Sequence, residues 1–217
     1  MKIPSIPTRG RTLDHAAAVY DLLEPLFLLG KQAEYDQHII RLLDPAPGEQ
    51  VLDLGCGTGV LCAQIADLLD PKAGGLAVGI DAAGKMIAVA RKKRAGAGCR
   101  FEAMAAESLG FEDRSFDAVV SSLFFHHVPL DLKASALNEA FRVLKPGGRL
   151  IIADMHLPTT WMGALVSKVS RWFFLQPQIA ENTRGVLPDL IQSAGFREPR
   201  IVGYYFGYIA VFYSEKP

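Results

Sequence analysis

The chain has 217 residues, of which 50% are hydrophobic and 21% charged, and its 23 Lys and Arg residues balance its 23 Asp and Glu residues. This composition supports a buried core and excludes a disordered chain, and the length fits one α/β domain. Zero net charge removes the broad attraction that draws proteins to nucleic acid, so we expect no nucleic-acid partner.

Residues 1–47 are predicted to form a helical covering, broken near Pro25 and Gly30, in which Tyr20 is a candidate ligand contact. The N-terminus lacks the apolar stretch of a secretory signal, and no window reaches the roughly 18 apolar residues of a membrane-spanning helix. The spacing of the three cysteines fits neither a redox pair nor a zinc site. These features predict a cytoplasmic protein without a metal centre.

Residues 48–154 alternate β-branched or Leu-rich runs with helical patterns, which is typical of βαβ units on a parallel sheet. The predicted strands are 51–54, 76–80, 100–103, 117–121 and 149–153. Apolar residues spaced by three and four between Leu130 and Leu144 predict an amphipathic helix that ends before Pro146. The pattern therefore indicates an open α/β sheet.

Residues 155–195 fall outside this alternation and are predicted to cover the acceptor side of the sheet. A broad helical face there carries Trp161, Leu165, Val169, Trp172 and Phe173. That face suits the cover of a lipophilic pocket or contact with a membrane surface, and ordinary core packing is a third interpretation. Residues 196–217 are aromatic and β-branched around a central glycine, which predicts a closing antiparallel hairpin.

A glycine loop follows the first predicted strand, where parallel sheets bind nucleotide-like ligands. It comprises Asp53, Leu54, Gly55, Cys56, Gly57, Thr58 and Gly59. Val60 stands where a dinucleotide fingerprint needs glycine, and no Gly-Lys-Ser/Thr follows as in a phosphate-binding loop. The charge of Asp53 disfavours a pyrophosphate and favours a cationic ligand. Asp81, at the end of the next strand, is placed to accept hydrogen bonds from a ribose diol.

Four stretches resemble, in order, the motifs of class I S-adenosylmethionine-dependent methyltransferases: VLDLGCGTGVL (51–61), AVGIDAAGKMIAVARK (77–92), FDAVVSSLFFHHV (116–128) and LNEAFRVLKPGGRLIIAD (137–154). The similarity is closest to the group containing the ubiquinone and menaquinone biosynthesis methyltransferases. It implies a Rossmann-like, mostly parallel seven-stranded sheet, S-adenosylmethionine as cofactor and S-adenosylhomocysteine as product. The implied acceptor is small and apolar: quinol-like, lipid-like, or another aromatic or aliphatic molecule.

The resemblance also implies a set of cofactor contacts. Asp81 would hold the ribose and Met86 would lie against the adenine. Ala105 stands where such proteins have a polar residue at the adenine edge, and this departure would cost about 0.5–1.5 kcal/mol of binding free energy. The expected contacts are Asp53, Gly55, Cys56, Gly57, Thr58, Gly59, Asp81, Ala82, Met86, Ala105, Ala106, Glu107, Ser121 and Ser122.

Methyl transfer from a sulfonium has a good leaving group, so alignment and exclusion of water matter most. A carbon or hydroxyl acceptor also needs a base, for which the strand-end candidates are His126, Asp154 and His156, with His126 first. Adjacent His126 and His127 would point about 100° apart on a helix, so one of them faces the pocket. Candidate acceptor contacts are Tyr20, His127, Trp161 and Trp172. Purely structural roles remain open for all of them.

Two other functions stay open on sequence alone. A dinucleotide-dependent oxidoreductase is disfavoured by Val60 and Asp53, and a non-catalytic scaffold that binds the cofactor is supported only by Ala105. Methylation of nucleic-acid bases is disfavoured because Ser121-Ser122-Leu123-Phe124 replaces the Asn/Asp-Pro-Pro-Tyr/Phe sequence of that group. Peripheral membrane contact is a further expectation. The sequence leaves the oligomeric state and the methylated atom undecided.

Overall fold

The computed structural model of the chain describes residues 3–12, 14, 17, 30–173 and 177–217, without the side chains of residues 170–173 and 177. Tyr20 and the apolar residues around it lie outside the described residues. The Trp172 side chain does so too, although its backbone belongs to a described helix.

Seven strands form one sheet in the order β3-β2-β1-β4-β5-β7-β6. The strands are β1 (Gln50–Leu54), β2 (Leu76–Asp81), β3 (Cys99–Ala103), β4 (Phe116–Ser122), β5 (Leu144–Met155), β6 (Arg200–Tyr205) and β7 (Ile209–Glu215). The first five run parallel, and β7 pairs antiparallel with both β5 and β6. The predicted seven-stranded, mostly parallel Rossmann-like sheet with its closing hairpin is confirmed.

β5 differs from the prediction because it begins five residues earlier than expected, at Leu144. The segment Pro146-Gly147-Gly148 belongs to the strand, and the register of the β4–β5 pair shifts between Phe116 and Ala118 to accommodate it. Proline and glycine in a strand often mark such an irregularity. The predicted amphipathic helix therefore ends at Val143, directly before the strand.

Helices cover both faces of the sheet. The helices are α1 (Gln32–Leu43), α2 (Val60–Ala66), α3 (Gly84–Arg94), α4 (Leu130–Val143), α5 (Trp161–Phe173), α6 (Pro177–Asn182) and α7 (Val186–Ser193), with short 3₁₀ turns at Pro71–Ala73 and Phe125–His127. One apolar cluster joins α1, α2 and α3 to the sheet, and a second joins α4 and α7 to the opposite face. None of the described helices is long and apolar enough to cross a membrane.

The two faces of β5 lead to two different parts of the site. Ile151 and Ala153 pack into the cluster of α1 to α3, whereas Leu150 and Ile152 pack into the cluster of α4 and α7. Successive strand side chains alternate between faces, so Asp154 continues the second row. The end of β5 therefore presents its carboxylate on the α4 side. The strand order reverses between β1 and β4, where ligands bind in open α/β sheets.

Candidate active site

A cavity opens at the carboxyl ends of β1, β2 and β4. Most of the sequence-predicted cofactor contacts line it: Asp53, Gly55, Cys56, Gly57, Thr58, Asp81, Ala82, Met86, Ala106, Glu107 and Ser122. These residues lie at or after the ends of four different strands, β1 to β4, and the sheet brings them to one edge. The position agrees with the ligand site expected where the strand order reverses.

The glycine loop turns sharply from β1 into α2. All three of its glycines have positive φ, which side chains rarely allow: 73° at Gly55, 55° at Gly57 and 84° at Gly59. A Cβ on Gly55 would lie 2.4 Å from the Phe124 ring, and one on Gly59 would lie 2.3 Å from Phe101. Gly59 precedes the first residue of α2 and lies behind the cavity, so the structure gives it a packing role.

Cys56 lies in the loop with its thiol directed towards β2. A Cβ on Gly79 would come within 2.9 Å of the Cys56 Sγ atom. Burial, reinforced by the charges of Asp53 and Asp81, raises the pKa of this thiol well above its usual value. A neutral, packed thiol is a poor nucleophile, so the packing interpretation of Cys56 is supported.

Asp81 ties the end of β2 to the glycine loop. One carboxylate oxygen accepts a hydrogen bond from the Gly57 N–H at 3.1 Å, and the other accepts one from the Ala83 N–H at 2.7 Å. Burial raises the pKa of Asp81 to about 6, although both backbone hydrogen bonds oppose the shift. Each oxygen keeps a lone pair for a further donor. The carboxylate can therefore accept hydrogen bonds from the hydroxyls of a ribose.

A further carboxylate, which the sequence did not single out, enters the cavity from α1. Asp36 is buried and accepts hydrogen bonds from Gln32 Nε2 at 2.8 Å and Gln64 Nε2 at 3.2 Å. Burial raises its pKa, and the two amide donors only partly offset that shift. Asp36, Asp53 and Asp81 line the same cavity. Three carboxylates around one space favour a cationic ligand.

An N-terminal strap, residues 3–12, crosses this cavity and was also not predicted. The Ile6 N–H donates to the Ala82 carbonyl at 2.8 Å, and the Arg11 N–H donates to the His127 carbonyl at 3.0 Å. Between these points the Thr8 hydroxyl donates to the Glu107 carboxylate. Thr8, Gly10 and Arg11 contribute to the cavity lining. The strap thereby links the end of β2 to the turn after β4.

Besides Gly59, two predicted cofactor contacts, Ser121 and Ala105, are not among the residues that line the cavity. Ser121 is buried and its hydroxyl donates to the Leu54 carbonyl at 2.9 Å, because its side chain points between the strands rather than beyond them. Ala105 is buried, and its neighbours Met104 and Ala106 line the cavity instead. Ser122 does line the cavity, and its hydroxyl lies 2.9 Å from the Tyr35 hydroxyl of α1.

His126 and Asp154 form a hydrogen-bonded pair beside the cavity, in which Asp154 is buried and His126 is partly exposed. His126 Nδ1 lies 2.8 Å from Asp154 Oδ1, an oxygen that also accepts from the Met155 N–H at 2.7 Å and from Asn182 Nδ2 at 3.1 Å. Burial alone would raise the pKa of Asp154, but the charge and hydrogen bond of His126 hold it below its usual value. The side chain of His126 keeps 12% of its surface exposed. Asp154 therefore orients an imidazole that solvent can still reach.

The other two histidines that were predicted at the site, His127 and His156, lie in different environments. His127 lines the cofactor cavity, and its ring centroid lies 4.0 Å from that of His126 on a 3₁₀ turn, so the two rings lie side by side rather than about 100° apart as on an α-helix. His156 is buried and packs edge-on against Phe212 at a centroid distance of 5.0 Å. Burial lowers the pKa of His156. This apolar contact supports a packing role for His156 rather than a catalytic one.

Trp161, a predicted acceptor contact, is not among the residues that line the cofactor cavity. Its side chain is 77% exposed at the start of α5. The expected acceptor contact from the N-terminal covering, Tyr20, is outside the described residues, whereas Tyr35 of α1 is fully buried against the end of β4. Among the described residues, no group of three metal-ligating side chains is close enough to hold a metal ion.

The chain is similar to known methyltransferases over most of its length. Residues 45–194 match a family model described as a methyltransferase domain. A demethylmenaquinone methyltransferase of Corynebacterium kroppenstedtii is 29% identical over 96% of this chain and 94% of its own length. Another, from Paenarthrobacter aurescens, is 30% identical over 94% of this chain and 84% of its own length.

The chain belongs to the S-adenosylmethionine-dependent methyltransferase family. A solved S-adenosylmethionine-dependent methyltransferase from Thermotoga maritima shares the fold of this methyltransferase, with a TM-score of 0.64, 22% identity and coverage of 93% of this chain and 98% of that one. S-Adenosylmethionine is therefore the cofactor. The alternatives of a dinucleotide-dependent oxidoreductase and a non-catalytic scaffold are not favoured.

Proposed function

We propose that this methyltransferase methylates a quinol-like aromatic acceptor that is soluble in lipid. The observation that carries the proposal is the His126–Asp154 pair beside the cofactor cavity, because a quinol gives up a proton when it is methylated at oxygen or at carbon and a base must accept that proton. The names of the relatives support the same acceptor class, since both act in menaquinone chemistry and match nearly the whole chain.

The lining residues fit S-adenosylmethionine, which supplies a methyl group on a positively charged sulfur with a neutral thioether as leaving group. Asp81 accepts the ribose hydroxyls, and the apolar side chains of Met86 and Met104 enclose the adenine. Asp36 and Asp53 face the ammonium end of the cofactor. Their charges complement the two positive groups of the ligand. The polar and apolar parts of the cavity thus correspond to the polar and apolar parts of the cofactor.

The His126–Asp154 pair removes the proton of the acceptor. Asp154 accepts a hydrogen bond from the Nδ1–H of His126, which leaves Nε2 as the nitrogen that takes the hydroxyl proton. Because its pKa is held low, Asp154 remains anionic and stabilises the imidazolium that forms. The acceptor oxygen or the adjacent ring carbon then bonds to the methyl group while the carbon–sulfur bond breaks. The electron pair of that bond stays on sulfur. When the ring carbon is methylated, its hydrogen then leaves as a proton to solvent and the imidazolium returns its proton to the oxygen, which restores the aromatic ring and the hydroxyl, so no further reactant is needed.

We also propose that the enzyme works in the cytoplasm, in peripheral contact with the membrane that dissolves its acceptor. The three thiols of Cys56, Cys62 and Cys99 are free, which is typical of a reducing compartment.

The acceptor class is tested with three small molecules of different chemistry. Purified enzyme and isotope-labelled S-adenosylmethionine are incubated anaerobically with a demethylated naphthoquinol bearing a short isoprenoid chain, with catechol, and with histamine. We expect a methylated naphthoquinol by mass spectrometry, much weaker transfer to catechol and none to histamine. Transfer to the amine without transfer to the quinol would overturn the proposal.

A further inference from the structure

One region of the surface concentrates exposed apolar side chains. Six neighbouring residues at and just before α5 expose between 40% and 77% of their surface: Leu157, Trp161, Met162, Leu165, Val166 and Val169. Of the other large apolar residues that are exposed in the described chain, Leu68 and Leu130 are far apart in the sequence, and Ile201 and Tyr204 lie on the edge strand β6. Soluble proteins rarely expose so continuous an apolar patch unless something binds to it.

The orientation of α5 shows that this patch is not a core-packing face. Among its residues with described side chains, 161–169, the buried ones are small: Gly163 and Ser167, one helical turn apart. A Cβ on Gly163 would lie 2.5 Å from the Gly207 carbonyl, so the helix rests closely on the β6–β7 turn. Small residues therefore face the protein and large apolar residues face outward, the reverse of an ordinary surface helix.

The charges at the edge of this patch indicate its partner. The sequence of α5 holds Lys168 and Arg171 and no acidic residue, and Lys168 is exposed. An apolar helical face with tryptophan and bordering cations is typical of helices that lie in the headgroup region of anionic membranes. We propose that α5 docks on an anionic lipid bilayer through its Trp161, Met162, Leu165, Val166 and Val169 face.

The start of α5 and the His126–Asp154 pair lie at the same edge of the sheet. The Thr159 N–H donates to the Gly207 carbonyl at 2.8 Å, which fixes the start of the helix at the carboxyl edge of the sheet. The preceding strand, β5, ends next to Asp154 and its partner His126. The inference rests on the proposed function: a lipid-soluble acceptor would pass from the bilayer to the His126–Asp154 pair without crossing water.

The test is flotation of the full-length enzyme with vesicles of phosphatidylcholine and phosphatidylglycerol. We expect the wild-type protein to float with the vesicles and the variant W161E/L165E/V169E to lose at least tenfold in partitioning. The matched control is Leu68→Glu, which charges a comparably exposed leucine in the α2–β2 connection, away from α5. Calorimetry with S-adenosylhomocysteine verifies that each variant is folded. Equal flotation of the triple variant and the wild type, or equal loss in the control, overturns the proposal.

Two further measurements distinguish membrane docking from self-association and from acceptor chemistry. Sedimentation velocity without lipid shows whether the patch is instead covered by a second copy: a wild-type dimer that the triple variant disperses, with no vesicle binding, overturns membrane docking. Turnover of a short-chain, water-soluble quinol separates docking from the proposed function. The triple variant should methylate this quinol within twofold of the wild type. Vesicle binding without any quinol methylation would retain the docking surface and reject the acceptor.

Discussion

The cofactor cavity and the His126–Asp154 pair are built in different ways. The cavity is assembled mainly from residues directly after β1, β2, β3 and β4, within short contiguous motifs. The pair depends on residues from a 3₁₀ turn, from the end of β5 and from α6, with Asn182 donating to the same oxygen as His126. The cofactor cavity is thus local in sequence, whereas the proposed catalytic pair depends on the tertiary fold.

This difference predicts that substitutions will separate binding from turnover. The largest effect is expected for His126→Ala, which should lower turnover by about 10²- to 10⁴-fold because it removes the proposed base. The affinity for S-adenosylhomocysteine should stay within about threefold of the wild type, since His126 is not among the residues that line the cavity. Steady-state kinetics with the quinol acceptor and calorimetry measure the two quantities.

Two controls sharpen this result. Asp154→Asn keeps the shape of the partner but removes its charge, so turnover should fall and its pH profile should change. His127→Ala changes the neighbouring ring that lines the cofactor cavity, so it should weaken cofactor binding more than it slows turnover at saturation. Wild-type turnover in His126→Ala would assign His126 a structural role.

Most residues that the sequence proposes for the cofactor line one cavity because they lie in contiguous motifs. The glycine loop, Asp81 and Met86 follow predicted strands at fixed distances, and the parallel sheet brings strand ends together. The errors have local causes. Ser121 was predicted to contact the cofactor together with Ser122. Side chains alternate along a strand, however, so the Ser121 hydroxyl turns towards the Leu54 carbonyl.

The residues that sequence reasoning missed depend on long-range packing. Asp36 and Tyr35 are adjacent on α1, and nothing in an amphipathic helix shows which polar residue will enter a cavity. The hydrogen bonds of the strap join residues far apart in the chain, such as Arg11 and His127. The outward orientation of α5 is likewise decided by the fit of Gly163 on the β6–β7 turn, which periodicity alone does not reveal.

After His126→Ala, the next largest effect is expected for a substitution in the cofactor cavity. Asp81→Ala should weaken S-adenosylhomocysteine binding at least tenfold without unfolding the domain, because a hydrogen bond to a charged group contributes about 1.5–3 kcal/mol. Calorimetry measures the affinity and circular dichroism the fold. Unchanged affinity would contradict the assignment of Asp81 to the ribose.

The pH dependence provides a second measure of Asp81. Its pKa of about 6 in the free protein means that the carboxylate is ionised above pH 6 and protonated below it. Protonation removes an acceptor for the ribose hydroxyls, so affinity should be level between about pH 7 and 8 and fall as the pH drops below 6. Asp81→Asn should flatten this change, and an unaltered profile in that variant would assign the titration to another group.

A smaller effect is expected at Asp36. Asp36→Asn retains its size and removes its charge, which should weaken S-adenosylmethionine binding about fivefold, the equivalent of roughly 1 kcal/mol. Binding of 5′-methylthioadenosine, which lacks the ammonium group, should not change. Equal weakening of both ligands would show that Asp36 supports the shape of the cavity rather than the charge of the cofactor.

The smallest effect, and the only gain, is expected at Ala105. The chain passes the adenine side of the cavity here, because Met104 and Ala106 on either side contribute to its lining. An amide at this position would offer the adenine amine an acceptor, so Ala105→Asn should tighten S-adenosylhomocysteine binding about two- to fivefold. Leucine is similar in size to asparagine but has no hydrogen-bond acceptor, so Ala105→Leu should not tighten binding. The gain should also vanish with S-inosylhomocysteine, which has no exocyclic amine. If Ala105→Asn loses affinity instead, the buried methyl group of Ala105 packs behind the cavity wall and the adenine edge is read by another group.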